Sequence, residues 1–280
     1  MKYLYKHILV FALISLYACT DVIDVEVPIA SPRLVIEASI DWEKGTTGNE
    51  QNIKLSLSTP YFDSEEIVPA FGALVTVTNT TANESFTFND QGNGNYSTAL
   101  FIPRFNNEYT LEVIYDSETY TGYETLIPVV PIDDIYQSRD NGFDVEALEV
   151  NLDFTDPENI ENFYLFRFQK QGDLLPEIFD FSDQFVDGNE VSVFYERLED
   201  EDINQEEFEP GDVIDIHFYG ISEQYFNFMQ LLISQNDAGG PFSTTPAALR
   251  GNCTNPTNPD NYAFGYFRVT EVVVENYTFQ

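Results

Sequence analysis

Acid–base or nucleophilic catalysis needs a histidine, a thiol or paired carboxylates within reach of one another. This sequence is sparing with the first two: its histidines are His7 and His217, its cysteines Cys19 and Cys253. His217 lies in VIDIHFYG, where alternation puts Val213, Asp215, His217 and Tyr219 on one face of a strand and Ile214, Ile216 and Phe218 on the other. It therefore reads as a residue on the more polar face of a strand. No G-x-S-x-G elbow and no H-E-x-x-H pair accompanies it, and a single such histidine excludes a histidine-rich zinc site. The 48 acidic residues allow many carboxylate pairs of the glycosidase kind, but no spacing singles one out. The expectation is a protein that is not an enzyme, with no catalytic, cofactor-binding or metal residue assigned.

Calcium is the better of the cofactor options. NDQGNGN (89–95) and RDNGFD (139–144) are oxygen-rich loops, yet neither has EF-hand spacing, and the first would place Leu100 where a bidentate acid is needed. Asn, Asp and Gly serve tight turns equally well. The expectation is no cofactor, with a structural calcium ion as the alternative.

Cys19 has a different setting. Lys2, Lys6 and His7 precede the mostly apolar stretch 8–18, which is the length of a signal-peptide core and too short to span a bilayer as a helix. Leu16 stands at −3, Ala18 at −1 and Cys19 at +1, which resembles the lipobox of bacterial lipoproteins, with Tyr17 departing from the usual small residue at −2. That resemblance implies that the Cys19 thiol is the lipid attachment site and the new amino terminus after cleavage. Two or more acyl chains give stable membrane anchoring where one is marginal. Asp21, Asp24 and Glu26 follow closely, similar to the surface-export signals of Bacteroidota lipoproteins. The implied address is the outer membrane, lipid-anchored and facing outward.

Composition fits an exported, folded chain. A formal net charge of −36 repels polyphosphate, so nucleic acid is not an expected partner. Hydrophobic content of 43% and aromatic content of 15% are far too high for a disordered acidic tail. With Cys19 lipidated, only Cys253 remains as a thiol, so no disulfide forms within one chain.

Period-two alternation dominates the rest. RLVIEASI (33–40), NIKLSLST (52–59), ALVTVTN (73–79), ESFTFN (84–89), NYSTAL (95–100), EYTLEVIY (108–115) and ETYTGYETLI (118–127) read as seven strands, with PVVP (128–131) as punctuation. Five more follow at 147–154, 163–169, 190–196, 212–221 and 266–279. SEQYFNFMQLLISQNDAGGP (222–241) reads as one helix capped by Ser222, and ERLEDEDINQEEFEPGD (196–212) as a solvated acidic loop. The expected organisation is a mainly β chain: signal peptide 1–18, lipidated tether 19–32, immunoglobulin-like β-sandwich 33–130, and a β-rich C-terminal domain with one helix, 131–280. Tyr225, Phe226, Phe228, Tyr262, Phe264, Tyr266 and Phe267 could make a sugar-stacking platform or docking face, but alternating aromatics are expected in the core.

The lipobox cysteine, SPRLVIEASI, GNGNYS, YTLEV, PIDDI, FSDQFVDGNEV, EPGDVIDIHFYGISEQYFNFMQLL and PFSTTPAALRGNCTNPTNPDNYAFGYFRV occur in this order. Together they resemble the DUF4249 lipoproteins of Bacteroidota, most specifically in the closing GN, Asn/Pro loop and GYF. Cys253 stands where an aliphatic residue is common in that pattern. The resemblance implies an accessory or binding subunit of a TonB-dependent outer-membrane transporter, held to the membrane by its lipid. The alternative is a structural or adhesive surface lipoprotein without a transport role.

Overall fold

The computed structural model describes residues 31–60, 67–199, 205–236 and 249–280. The expected signal peptide and nearly all of the tether, Cys19 included, lie outside the described residues, as do residues 200–204 of the acidic loop. The chain is mainly β. In order come β1 (Leu34–Glu43), β2 (Gln51–Leu57), β3 (Val68–Pro69), β4 (Leu74–Asn79), β5 (Glu84–Asp90), β6 (Asn95–Thr98), β7 (Glu108–Tyr115), β8 (Glu118–Thr125), β9 (Asp134–Ser138), β10 (Glu149–Thr155), β11 (Phe163–Lys170), β12 (Glu177–Ser182), β13 (Glu190–Glu196), β14 (Val213–Ile221), the helix α1 (Glu223–Asn236) and β15 (Phe264–Thr278). The twelve strands read from alternation are all present, while β3, β9 and β12 are additions.

One large sheet runs β12, β11, β14, β15, β1, β2, β6, β5, β4, β7, β8, with β3 bonded beside β2; a small sheet runs β13, β10, β9. The large sheet doubles back at β5, whose first residues pair with β4 while Asn89 and Asp90 pair with β6. β15, β1, β2 and β6 thereby face β5, β4, β7 and β8 as an immunoglobulin-like sandwich. The inward residues Ile36, Ala38 and Ile40 of β1 meet Val75, Val77, Leu111 and Val113 across the first core. Asp116 and Ser117, both at positive φ, close the two-residue β7–β8 hairpin in the left-handed conformation that matches strand twist.

The second core lies between the small sheet and β11, β14 and the end of β15, and is built on Val150, Leu152, Phe154, Phe166, Phe168, Ile216 and Phe218. Leu126 packs in the first core and Val129 in the second, so the chain passes between cores there. The C-terminal part then returns: Cys253, Ala263, Phe267 and Val269 complete the first core. The long strand β15 makes this possible. Residues 264–272 pair parallel with β1, and residues 271–278 pair antiparallel with β14. Where the two pairings meet, Glu271 is buried and accepts from Lys44 Nζ at 3.0 Å and from the Val129 amide at 2.9 Å, which ties the 128–131 linker to β15.

On the outer face of the large sheet, α1 covers a third cluster of Leu165, Tyr219, Ile221, Tyr266 and Val272 with its own Tyr225, Phe226 and Met229. Ser222 Oγ caps the helix by accepting from the Tyr225 amide at 3.1 Å, and Glu223 complements the helix dipole in the first turn. No helix among the described residues is long and apolar enough to cross a membrane.

Candidate functional site

Beside α1 the outer face of the sheet turns polar, and here lies the histidine that the sequence singles out. His217 faces outward on β14, as alternation predicts, opposite Arg167 of β11. Its Nδ1 shares a hydrogen bond of 3.2 Å with the Tyr219 hydroxyl. Burial, reinforced by Arg167, lowers the imidazole pKa and favours the neutral ring. Burial and the nearby Asp41 push the Tyr219 phenol up to about 12, so it keeps its proton and is a poor nucleophile. Next to this pair, Arg268 of β15 reaches Asp41 of β1 at 2.8 Å and the Tyr225 hydroxyl at 3.2 Å, while Thr270 bonds the other Asp41 oxygen at 3.0 Å. The Arg268 guanidinium also lies 4.8 Å from the Tyr219 ring centre and 5.3 Å from that of Tyr225. These contacts pin α1 and β1 to β15, and Arg268 Nε is buried without a hydrogen-bond partner.

The aromatic residues divide in two. Tyr225, Phe226, Tyr266 and Phe267 are buried, and Phe228 packs its ring 4.7 Å from Tyr266. Tyr262 and Phe264 are half-buried, their rings meeting edge to face at 5.7 Å. The guanidinium groups of Arg33 and Arg250 each lie over the Tyr262 ring, at 4.1 and 4.0 Å. Arg33 also donates to the carbonyls of Asp260 and Tyr262, so the start of the folded body is fastened to the closing segment.

That segment, 249–267, is fastened to β1 and β8 by specific contacts. Gly265 has φ +92°, and a Cβ on it would lie 2.1 Å from the Ile36 carbonyl, so only glycine lets the entry of β15 press against β1. Asn252 brackets the backbone of Phe267, accepting from its amide at 2.8 Å and donating to its carbonyl at 2.7 Å. Thr254 bridges to Thr121 on the edge of β8. Glu118 gathers the side-chain amides of Asn255, Asn258 and Asn261 and the Tyr120 hydroxyl. Those bonds, Asn258 and Tyr120 first, hold its carboxyl below the ordinary range. Cys253 is buried against Gly122 and Phe267, and burial pushes its thiol up to about 12, which makes it a packing residue. Between this segment and α1 lies an open groove of about 350 Å³ lined by Gln224, Phe228, Leu231, Arg250 and Tyr266.

Residues 20–275 match the family described as Domain of unknown function (DUF4249). The chain belongs to the DUF4249 family. No curated protein matches it. Among solved structures, the DUF4249 chain is similar to the FN1–FN3 domains of chicken CNTN1 at 14% identity and TM-score 0.26, covering 67% of this chain and 63% of that one, so it spans under two thirds of that relative. It is similar to a two-domain fibronectin type III segment of chicken tenascin at 12% identity and TM-score 0.22, covering 68% and 91%. The BSP domain of a biofilm associated protein gives 12% identity and TM-score 0.24, covering 67% and 26%.

The oxygen-rich loops serve different ends. In NDQGNGN, Asp90 accepts from the Gly72 and Gly92 amides at 2.8 and 2.7 Å, and Asn93 from the Asn95 amide at 3.1 Å, so these side chains hold the β5–β6 turn. A cluster that the sequence reading passes over is Asp156, Asp183 and Asp187, whose oxygens lie within 4.8 Å of one another. Asp156 there accepts from the Tyr164 hydroxyl at 2.7 Å and the Gly188 amide at 3.2 Å. Burial, with Asp156 nearby, raises the Asp183 pKa.

Proposed function

We propose that this DUF4249 protein is a lipid-anchored, extracytoplasmic binding module without enzymatic activity, acting as accessory subunit of a TonB-dependent outer-membrane transporter. The family match along residues 20–275 carries the reading, together with the association that resemblance to these lipoproteins implies. Two features of the chain support it. The polar face around His217 holds a neutral imidazole and a protonated phenol, with Asp41 and Arg268 engaged to each other. The segment 249–267, by contrast, presents a fixed surface built from Asn side chains and two arginines flanking Tyr262. Such a rigid, hydrogen-bonded loop suits docking to a partner more than turnover of a substrate.

The tether 20–32 reaches at most roughly 45 Å when extended. Confinement by the Cys19 lipid therefore raises the effective concentration of any neighbour in the same bilayer, and a modest interface suffices for a persistent complex. Crosslinking in intact cells followed by mass spectrometry tests the partner: links from 249–267 to a β-barrel transporter are expected. Links only to periplasmic proteins, or none to a barrel, would overturn both partner and outward orientation. Cys19→Ser should leave the detergent phase on partitioning, and a variant that still enters it like wild type would refute the anchor.

A further inference from the structure

Glu149 and Glu196 stand directly opposite each other on the antiparallel pair β10–β13, so two carboxylates meet on one face of the small sheet. Like charges in that arrangement repel, and no ion pair among the described residues involves either of them. Instead, the RDNGFD loop folds over both. The amides of Asp140 and Asn141 donate to Glu149 Oε1 at 3.1 and 2.8 Å, and the Ser138 hydroxyl joins them. The amides of Phe143 and Asp144 donate to Glu196 Oε2 and Oε1 at 2.8 and 2.9 Å. Between these two pairs of amides the chain passes through Gly142, where a Cβ would lie 2.5 Å from Glu196 Oε1 and 2.7 Å from Glu149 Oε2. Both oxygens therefore lie against Gly142 and no more than 5.2 Å (2.5 + 2.7) from each other.

An independent observation marks what is missing. Glu149 is 0% exposed, yet its Oε2 is buried without a hydrogen-bond partner, a state it shares among the carboxylates of the described residues with Oδ1 of the half-buried Asp153. A carboxylate oxygen out of water and without a donor is costly, and a bound cation removes that cost.

We propose that Glu149 and Glu196, beneath the 139–144 loop, bind one hard divalent cation, Ca²⁺, with Glu149 Oε2 and Glu196 Oε1 as its carboxylate ligands. The donors that face the gap are oxygens, which suits calcium and disfavours metals that seek nitrogen or sulfur. Phe143, 87% exposed, and Asp144 lie on the surface, so an ion reaches the gap from the loop side. The proposal is independent of the transporter reading.

The test uses the mature full chain, stripped with EDTA and titrated with CaCl₂ by calorimetry in about 0.15 M KCl, which screens diffuse binding to the acidic surface. One saturable site is expected, with Kd in the range of about 10⁻⁵ to 10⁻³ M, and Ca²⁺ should raise the melting temperature. Glu196→Gln and Glu149→Gln should each weaken the site at least tenfold, whereas Asp187→Asn, in the other acidic cluster, should leave it unchanged. Glu196 is the less buried of the pair, so its variant serves if Glu149→Gln fails to fold. Absence of saturable binding, binding indifferent to Glu196→Gln, or loss of binding in Asp187→Asn would overturn the proposal. So would a shared proton, seen as stability that responds to pH but not to Ca²⁺.

Discussion

Truncation of Phe218 should be felt in a core to which it does not belong. The ring is fully buried in the second core, stacked 4.7 Å from Phe166, with Phe154 and Tyr164 at 4.9 and 5.3 Å. Phe218→Ala removes it from among rings that β10 and β11 hold in place, so the site collapses poorly and the loss should be about 3–5 kcal/mol. With a urea m-value of about 3 kcal/mol/M, the midpoint falls by about 1–1.7 M. Trp42 is the single tryptophan; it packs against the first core and stacks 4.6 Å from Phe105. Its fluorescence therefore reports the first core, while far-UV circular dichroism reports all strands. Because β15 contributes to both cores, they should unfold as one unit. The Trp42 midpoint should drop in Phe218→Ala by as much as the dichroism midpoint. A Trp42 transition that stays at its wild-type position, with a dichroism curve split in two, would mean that β15 does not couple the cores.

Gly265→Ala should cost at least about 2 kcal/mol through its positive φ and its approach to the Ile36 carbonyl, read as a lower melting temperature; an unchanged value would contradict the close β1–β15 contact. Cys253 should resist Ellman's reagent in the native protein at pH 8 and react fully in denaturant, given burial and a thiol pushed up to about 12; rapid native labelling would show the segment opening. Burial works against ionisation of Asp212, but Lys170 at 2.7 Å and the Glu209 amide hold its carboxyl below the ordinary value. A depressed folded-state pKa adds stability that is full above the unfolded value and lost as pH falls through the folded one. Asp212→Asn should thus cost about 1 kcal/mol at neutral pH, with the gap to wild type closing below about pH 4; a gap that persists in acid would point to packing instead.

Alternation alone located strands such as β1, β7 and β14, because each buries every second residue on a core and so writes its period into the sequence. The strands β9 and β12 escaped because nearly all their residues are half-buried or exposed, and a sheet margin imposes no such period. The Ser222 cap made α1 legible, and the face of His217 followed from its neighbours. Partner choice was not legible. Nothing in YFRVTEVVVENYTF distinguishes a strand that closes one core from one that pairs in two, since alternation specifies a face and not a neighbour. The burial of Glu149 and Asp156 was also hidden, because acids read as solvated until a fold supplies the amides that replace water.

The parallel pairing of β1 with β15 sets a timetable for folding. During synthesis β1 emerges early, with its apolar alternation and a free edge, and its partner is made only after more than two hundred further residues. Until then that edge is a template for the wrong neighbour, including another nascent chain. Closing so long a loop adds entropy cost only logarithmically, but it delays the decisive contact and slows the search. The newborn polypeptide thus leaves that edge of β1 unpaired until β15 is made.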